Sequence, residues 1–262
     1  MHQDYARGDV YPMTEDPLVQ DYGCARPSSF FINFKCNIMD TKNTLPPVKI
    51  AVLIDGGFFI KRFNSIYNRD RTMTASEVAA YLYTFAHKHV GLGNVLYRIF
   101  YYDCIPFGKK MQNPISKKTI DYSKTEEFKF RMELIEALKC KRKVALRLGE
   151  LKDNKNWIIH PRKVKELFAG KIGIKDLEPE DVSLDLRQKG IDMKIGVDIA
   201  SLAFKRFVDR IVLVSGNADF VPAAKLARRE GVDFILDPMK ANIEQSLFEH
   251  IDGLENKQIF VK

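Results

Sequence analysis

Two short apolar runs, each ending in acidic residues, constrain this chain more than any other feature. Lys49 to Ile54 reads KIAVLI and gives way to Asp55-Gly56-Gly57, and Ile211 to Val214 reads IVLV and gives way to SGNAD. Apolar runs without alternation are the pattern of strands buried on both faces, as in a parallel sheet covered by helices. After the second run, Phe220, Ala223, Ala224 and Ala227 recur at i, i+3, i+4 and i+7, the apolar face of a helix beginning near Asp219. Open α/β sheets keep their sites at the carboxyl ends of such strands. If the two strands are neighbours, Asp55 and Asp219 face one pocket. Asp192 and Asp198, in the stretch KGIDMKIGVDI that precedes the second strand, would join them.

The rest of the chain alternates strand and helix signals. Thr74 and Glu77 form a capping-box pattern that opens a helix to about His89. Leu96 to Tyr102 is an aromatic strand ending at Asp103. Glu126–Leu138 is an amphipathic helix, and Val144–Leu151 a strand with Trp157–Ile159 as its hairpin partner. Pro161–Ala169 is a basic helix, Val182–Gln188 and Val232–Leu236 are strands, Glu244–His250 is a short helix and Gln258–Val261 an edge strand. This order predicts an α/β domain with parallel central strands. Residues 106–124 read as a long loop carrying Lys109, Lys110, Lys117 and Lys118, long enough to be functional.

The ends read differently. Residues 1–47 scatter proline and aromatic residues without periodicity, which predicts a mostly disordered extension with Ser29–Phe34 as a short element. Met39, ten residues before Lys49, is an expected translation start. The domain spans 48–251 and residues 252–262 form a C-terminal tail.

Charge narrows the function. The chain of 262 residues has a formal net charge of +8. Residues 1–47 carry four Lys/Arg against six Asp/Glu, so the remainder holds 38 against 28, a net +10. A basic body around an acidic pocket suits a polyanion held at a metal site. Cys24, Cys36, Cys104 and Cys140 make no CxxC, and no His stands at zinc-finger spacing. A secretory signal and a membrane-length apolar run are both missing, so the expected location is the cytoplasm.

Each carboxylate also has an ordinary explanation. Asp55 could end a strand, Asp192 could cap a helix, Asp198 could be a satisfied polar residue, and Asp219 could cap the helix after it. Asp192 and Asp198 are six apart and diverge by about 120° on a regular helix, so they share a pocket only if Asp192 precedes the helix proper. GxGxxG, GxxxxGK[ST] and GxSxG are all missing, which argues against dinucleotide binding, a P-loop and a serine hydrolase. Ser215-Gly216 after a strand suggests phosphate contact through hydroxyl and backbone N–H groups.

Together AVLIDGGFF, KGIDMKIGVDI and LVSGNADFVPAAKLARREGVDFIL resemble the NYN-domain family, a branch of the PIN-like metal-dependent nucleases, over roughly residues 48–251. The resemblance implies a three-layer α/β/α (Rossmann-like) domain with a central, mostly parallel sheet. It implies bound Mg²⁺ or Mn²⁺ and cleavage of single-stranded RNA by an endoribonuclease. Carried over by motif, Asp55, Asp192 and Asp219 are metal ligands, with Asp198 a further candidate. Asn217 completes the catalytic group, and Lys189, Ser215 and the four loop lysines would contact substrate. Relatives commonly read SGDxDF where this chain has Asn217, so the alternative is a PIN-like RNA-binding or regulatory protein with weak or no catalysis. A homo-oligomer is compatible with either. A phosphatase with Asp55 as nucleophile fits less well, because the second position of its DxD motif is Gly57.

Overall fold

The computed structural model describes residues 46–258. The elements run β1 (Lys49–Asp55), α1 (Gly56–Ile66), α2 (Ala75–Val90), β2 (Val95–Ile105), β3 (Lys110–Gln112), β4 (Thr119–Asp121), α3 (Glu126–Lys139), β5 (Val144–Ile159), α4 (Pro161–Phe168), β6 (Val182–Lys189), α5 (Ile191–Phe204), β7 (Arg210–Val214), α6 (Val221–Arg229), β8 (Asp233–Asp237), α7 (Gln245–Phe248) and β9 (Gly253–Leu254). Seven strands form one sheet in the order β6-β5-β2-β1-β7-β8-β9. All neighbours in it are parallel except β5 and β6.

The period-two alternation of the central strands divides the core into two layers. Ile50, Val52, Ile54, Ile99, Tyr101, Val212 and Val214 pack on one face against Phe59 and Phe63 of α1, Val78, Leu82 and Phe85 of α2, and Leu134 and Leu138 of α3. Ala51, Leu53, Phe100, Tyr102, Ile211, Leu213 and Phe234 face the other way, against Ile195 and Ile199 of α5, Ala224 and Ala227 of α6, and Leu247 of α7. Burial on both sides is why β1 and β7 read as unbroken apolar runs. The result is the expected three-layer α/β/α body. Among the described residues no helix is long and apolar enough to cross a membrane.

Sheet order fixes the position of the crevice. From β1 the chain moves outward through α1 and α2 to β2, whereas from β7 it leaves through α6, on the opposite face, to β8. Adjacent strands whose helices leave on opposite faces open a gap at their carboxyl ends, where open α/β sheets bind ligands. Ile54 pairs with Val214, so Asp55 and Ser215 stand next to each other at that gap.

Several elements differ from expectation. The 106–124 loop contains the β3–β4 hairpin, whose register pairs Lys110 with Asp121. Val144–Leu151 does not fold back on Trp157–Ile159. It continues through them as one long strand, and the antiparallel partner is β6. The edge strand is β9, parallel to β8, so the segment read as a C-terminal tail contributes to the sheet. The Ser29–Phe34 element, the Met39 start, Cys24 and Cys36, and residues 259–261 lie outside the described residues.

Candidate active site

Asp55 ends β1 and is also the N-cap of α1, where its Oδ1 accepts the Phe58 N–H at 3.0 Å. The carboxylate therefore has structural work as well as a place in the crevice. Gly56 makes the strand-to-helix turn possible. A Cβ there would lie 2.6 Å from the Tyr101 ring and 2.7 Å from the Tyr102 carbonyl oxygen. Burial raises the Asp55 carboxyl above the usual carboxylate range, and the charges of Asp192 and Asp103 raise it further, against the lowering effect of the Phe58 N–H.

Asp192 lies in the first turn of α5, after Gly190, whose φ of 78° only glycine adopts at low cost. Its carboxyl is also raised, by partial burial and then by Asp219. Asp219 sits in a 3-10 turn, Ala218–Phe220, that joins β7 to α6. Asn217 caps that turn. Its Oδ1 accepts the Asp219 N–H at 3.1 Å while its Nδ2 donates to Asp219 Oδ2 at 3.1 Å. Asp219 does not cap α6, whose N-cap is Phe220 without a side-chain bond; the side-chain cap here is that of Asn217 on the 3-10 turn. The electrostatic chain running from Asp103 through Asp55 and Asp192 to Asp219 is the acidic crevice.

Asp198 takes a different direction. Asp192 is inside the helix rather than before it, so the divergence of about 120° holds. Asp198 Oδ2 accepts the Tyr102 hydroxyl at 2.8 Å and the Arg147 Nε–H at 2.8 Å. Ser215 is fully buried, and its Oγ accepts the Asn217 N–H at 3.3 Å. Lys189 is exposed at the end of β6. Lys152, diagonal to it on β5, holds its ammonium below the usual lysine range. Lys109, Lys110, Lys117 and Lys118 are on or beside the β3–β4 hairpin, with Lys110 Nζ 3.9 Å from Asp121. The basic helix α4 spends charge internally, Lys163 lying 3.5 Å from Asp181 and Arg162 bonding Glu166.

The sequence reading overlooked Asp103. It ends an apolar strand much as Asp55 does, and that was the available signal. It is buried, accepting the Tyr101 hydroxyl at 2.9 Å, Arg131 Nη1–H at 2.8 Å and the Cys104 N–H at 2.8 Å. With its oxygens so occupied, Asp103 shapes the field at Asp55 while Arg131 offsets its charge.

The donor set in the crevice consists of hard carboxylate oxygens, suited to Mg²⁺ or Mn²⁺. Two of the carboxyls resist ionisation, which a cation would reverse. Among the described residues, no three His, Cys, Asp or Glu side chains are gathered closely enough to enclose an ion.

The three-layer body with an acidic crevice at the ends of β1 and β7 is consistent with the PIN-like class of fold. The resemblance to the NYN-domain family is borne out: the NYN domain model matches residues 155–250, a span that includes Asp192, Asp198, Asn217 and Asp219 but not Asp55. No curated protein matches the chain by sequence. Among solved structures, a protein of unknown function from Vibrio parahaemolyticus RIMD 2210633 aligns over 80% of this chain and 92% of that chain, at 13% identity and a TM-score of 0.42.

Proposed function

We propose that the protein is a metal-dependent ribonuclease that cleaves single-stranded RNA internally. The observation that carries this reading is the placement of Asp55 at the end of β1 and Asp219 in the turn after the neighbouring strand β7, with Asp192 in the first turn of α5 near enough for its charge to add to the upward shift that burial gives the Asp55 carboxyl. In this reading Asp55, Asp192 and Asp219, not gathered closely enough here to enclose an ion, would be drawn together around it. When bound, a hard divalent cation neutralises phosphate charge and lowers the pKa of a bound water. The chain's own residues supply position. The α1 cap fixes Asp55, Asn217 fixes Asp219, and Lys152 with Lys189 presents paired positive charge to a phosphate backbone. Asp198, bound to Arg147 and Tyr102, serves the packing of α5 on the sheet.

A second reading rests on one bond. Asn217 donates to Asp219 Oδ2, occupying an oxygen that a metal would use, which favours an RNA-binding protein with little catalysis. Labelled single-stranded RNA incubated with the purified protein, with Mn²⁺ or with EDTA, separates the two. Cleavage in Mn²⁺ that EDTA abolishes supports the nuclease. Binding with intact RNA in both supports the second reading, and neither binding nor cleavage removes both.

A further inference from the structure

Beside the acidic crevice, at the carboxyl end of β2, lies a cleft of about 330 Å³ that the reading above leaves unused. Its exposed walls are mostly apolar and include three aromatic rings, Phe107, Tyr122 and Phe128. Phe107 is buried, and Tyr122 meets it edge-on at 5.4 Å between ring centroids. Phe128 packs so closely under Gly108 that a Cβ there would lie 2.7 Å from its ring. Leu151 and Leu186, from β5 and β6, close the far side.

The polar groups at the cleft fall into two kinds. Those of Asp103, Thr125 and Glu127 are already bonded within the fold, the Glu127 carboxylate to Arg131. Arg131 commits its Nε to Glu127 and its Nη1 to Asp103, and its Nη2 has no partner among the described residues. Gln188 is exposed, and its amide makes no hydrogen bond among the described residues. That amide also reaches the crevice. Its Nε2 is 3.2 Å from the point where a Cβ on Gly57 would stand, and Asp55 Oδ1 is 3.6 Å from the same point. Gln188 therefore lies between the carboxylates and the aromatic cleft.

Resting on the ribonuclease reading, we propose that this cleft receives one unstacked nucleobase of the RNA strand whose phosphate lies at the crevice. An aromatic-walled slot suits a flat, apolar-faced ring. An amide that offers a donor and an acceptor in one plane suits a base edge. The size falls at the lower end of ordinary ligand pockets, as a single ring system requires. Lys109, 5.9 Å from the Phe107 ring centroid, adds positive charge at the rim. The cleft thereby fixes which phosphodiester bond reaches the carboxylates, and Gln188 discriminates among bases there.

The test uses the full chain in EDTA and a set of short dye-labelled RNAs, each with one abasic position, read by fluorescence anisotropy. One position should weaken binding roughly tenfold when its base is removed, within the range that stacking on an aromatic side chain gives. In Tyr122→Ala and in Gln188→Ala that position should lose its effect while the salt dependence of binding is unchanged. Gln188 is exposed on an edge strand, so its variant keeps the fold even if Tyr122→Ala does not. Binding with a flat abasic profile overturns the cleft and leaves the RNA reading standing. A profile that persists unchanged in Gln188→Ala also overturns it. An absence of RNA binding overturns the RNA reading, and the cleft with it.

Discussion

Arg147 Nε lies 2.8 Å from Asp198 Oδ2, and this ion pair takes a carboxylate that the sequence motif offers to a metal and uses it to tie α5 to β5. Asp198→Asn should therefore behave as a stability variant. A lost charge-assisted hydrogen bond costs about 1–2 kcal/mol, which for a body of this size lowers the melting temperature by roughly 2–8 °C. Cleavage should stay within about threefold of wild type, a change of well under 1 kcal/mol in barrier height. Loss of metal-dependent cleavage with an unchanged melting temperature would return Asp198 to the metal shell.

Asp55→Asn should abolish Mn²⁺-dependent cleavage while the fold survives. Asn is as good an N-cap as Asp, so the bond to the Phe58 N–H is kept. The variant also removes a desolvated charge that repels Asp192 and Asp103. Without metal its melting temperature should equal or exceed that of wild type. Asp55→Ala, by contrast, loses the cap and should be less stable by about 1 kcal/mol. Thermal melts and nuclease assays on both variants check this, and wild-type cleavage in Asp55→Asn would remove Asp55 from the site.

Asn217→Asp should destabilise the metal-free protein and increase the stabilisation that Mn²⁺ gives. The substitution removes the Nδ2–H donor to Asp219 and sets two carboxylates against each other. The new carboxylate keeps an acceptor for the Asp219 N–H, so the turn itself persists. A cation gains a charged oxygen, and binding to the native state adds stability by mass action. Cleavage should rise as well. Equal Mn²⁺-induced shifts in mutant and wild type, with no faster cleavage, would place residue 217 outside the metal shell.

His89 gives a pH dependence separate from that of the raised carboxyls in the crevice. It is buried, with Nδ1 3.0 Å from Glu255 Oε2 and Nε2 3.1 Å from Asp237 Oδ2, the latter without hydrogen-bond alignment. Burial alone would lower the imidazole, but the two carboxylates outweigh it and the net direction is upward from 6.5. Glu255 moves the other way, from 4.5 to about 2, chiefly through the bond to His89. A raised histidine contributes stability that is complete below its unfolded value and lost as pH rises through the folded one. A lowered carboxylate contributes stability that is present above its unfolded value and lost as pH falls through the folded one. The pair should stabilise most between about pH 4.5 and about pH 6.5. In Glu255→Gln the urea midpoint should decline less steeply from about pH 6 to about pH 9. Superimposable pH profiles for mutant and wild type would contradict the assignment.

What the sequence disclosed follows from which interactions are local. The strand KIAVLI, the Thr74–Glu77 capping box and the divergence of Asp192 from Asp198 depend on near neighbours in the chain, and all are found. Asp103 is legible only as the end of a strand, because its place beside the crevice depends on Arg131, from a helix after the β3–β4 hairpin, and on the parallel register that sets Tyr102 against Asp55. The partner of β5 is illegible in the sequence for a related reason. Short apolar runs separated by a polar stretch read as a hairpin, whereas pairing with β6 let one strand run through Asn154, which bonds Asp185 across the pair. Ser215 looked like a phosphate ligand because it follows a strand, but the same strand burial encloses its hydroxyl.

Gly56 leaves no room for a Cβ between the start of α1 and the strand that carries Tyr101 and Tyr102. The ends of β1 and β2 are therefore locked at a spacing set by main-chain and ring atoms. The charge at this end of the crevice and the spacing of its strands are separable properties: exchanging Asp55 or Asp103 changes the charge presented, while a substitution at Gly56 changes the distance between the two strand ends. A library randomised at the carboxylates would sample chemistry on a fixed ruler, and one randomised at Gly56 would change the ruler itself.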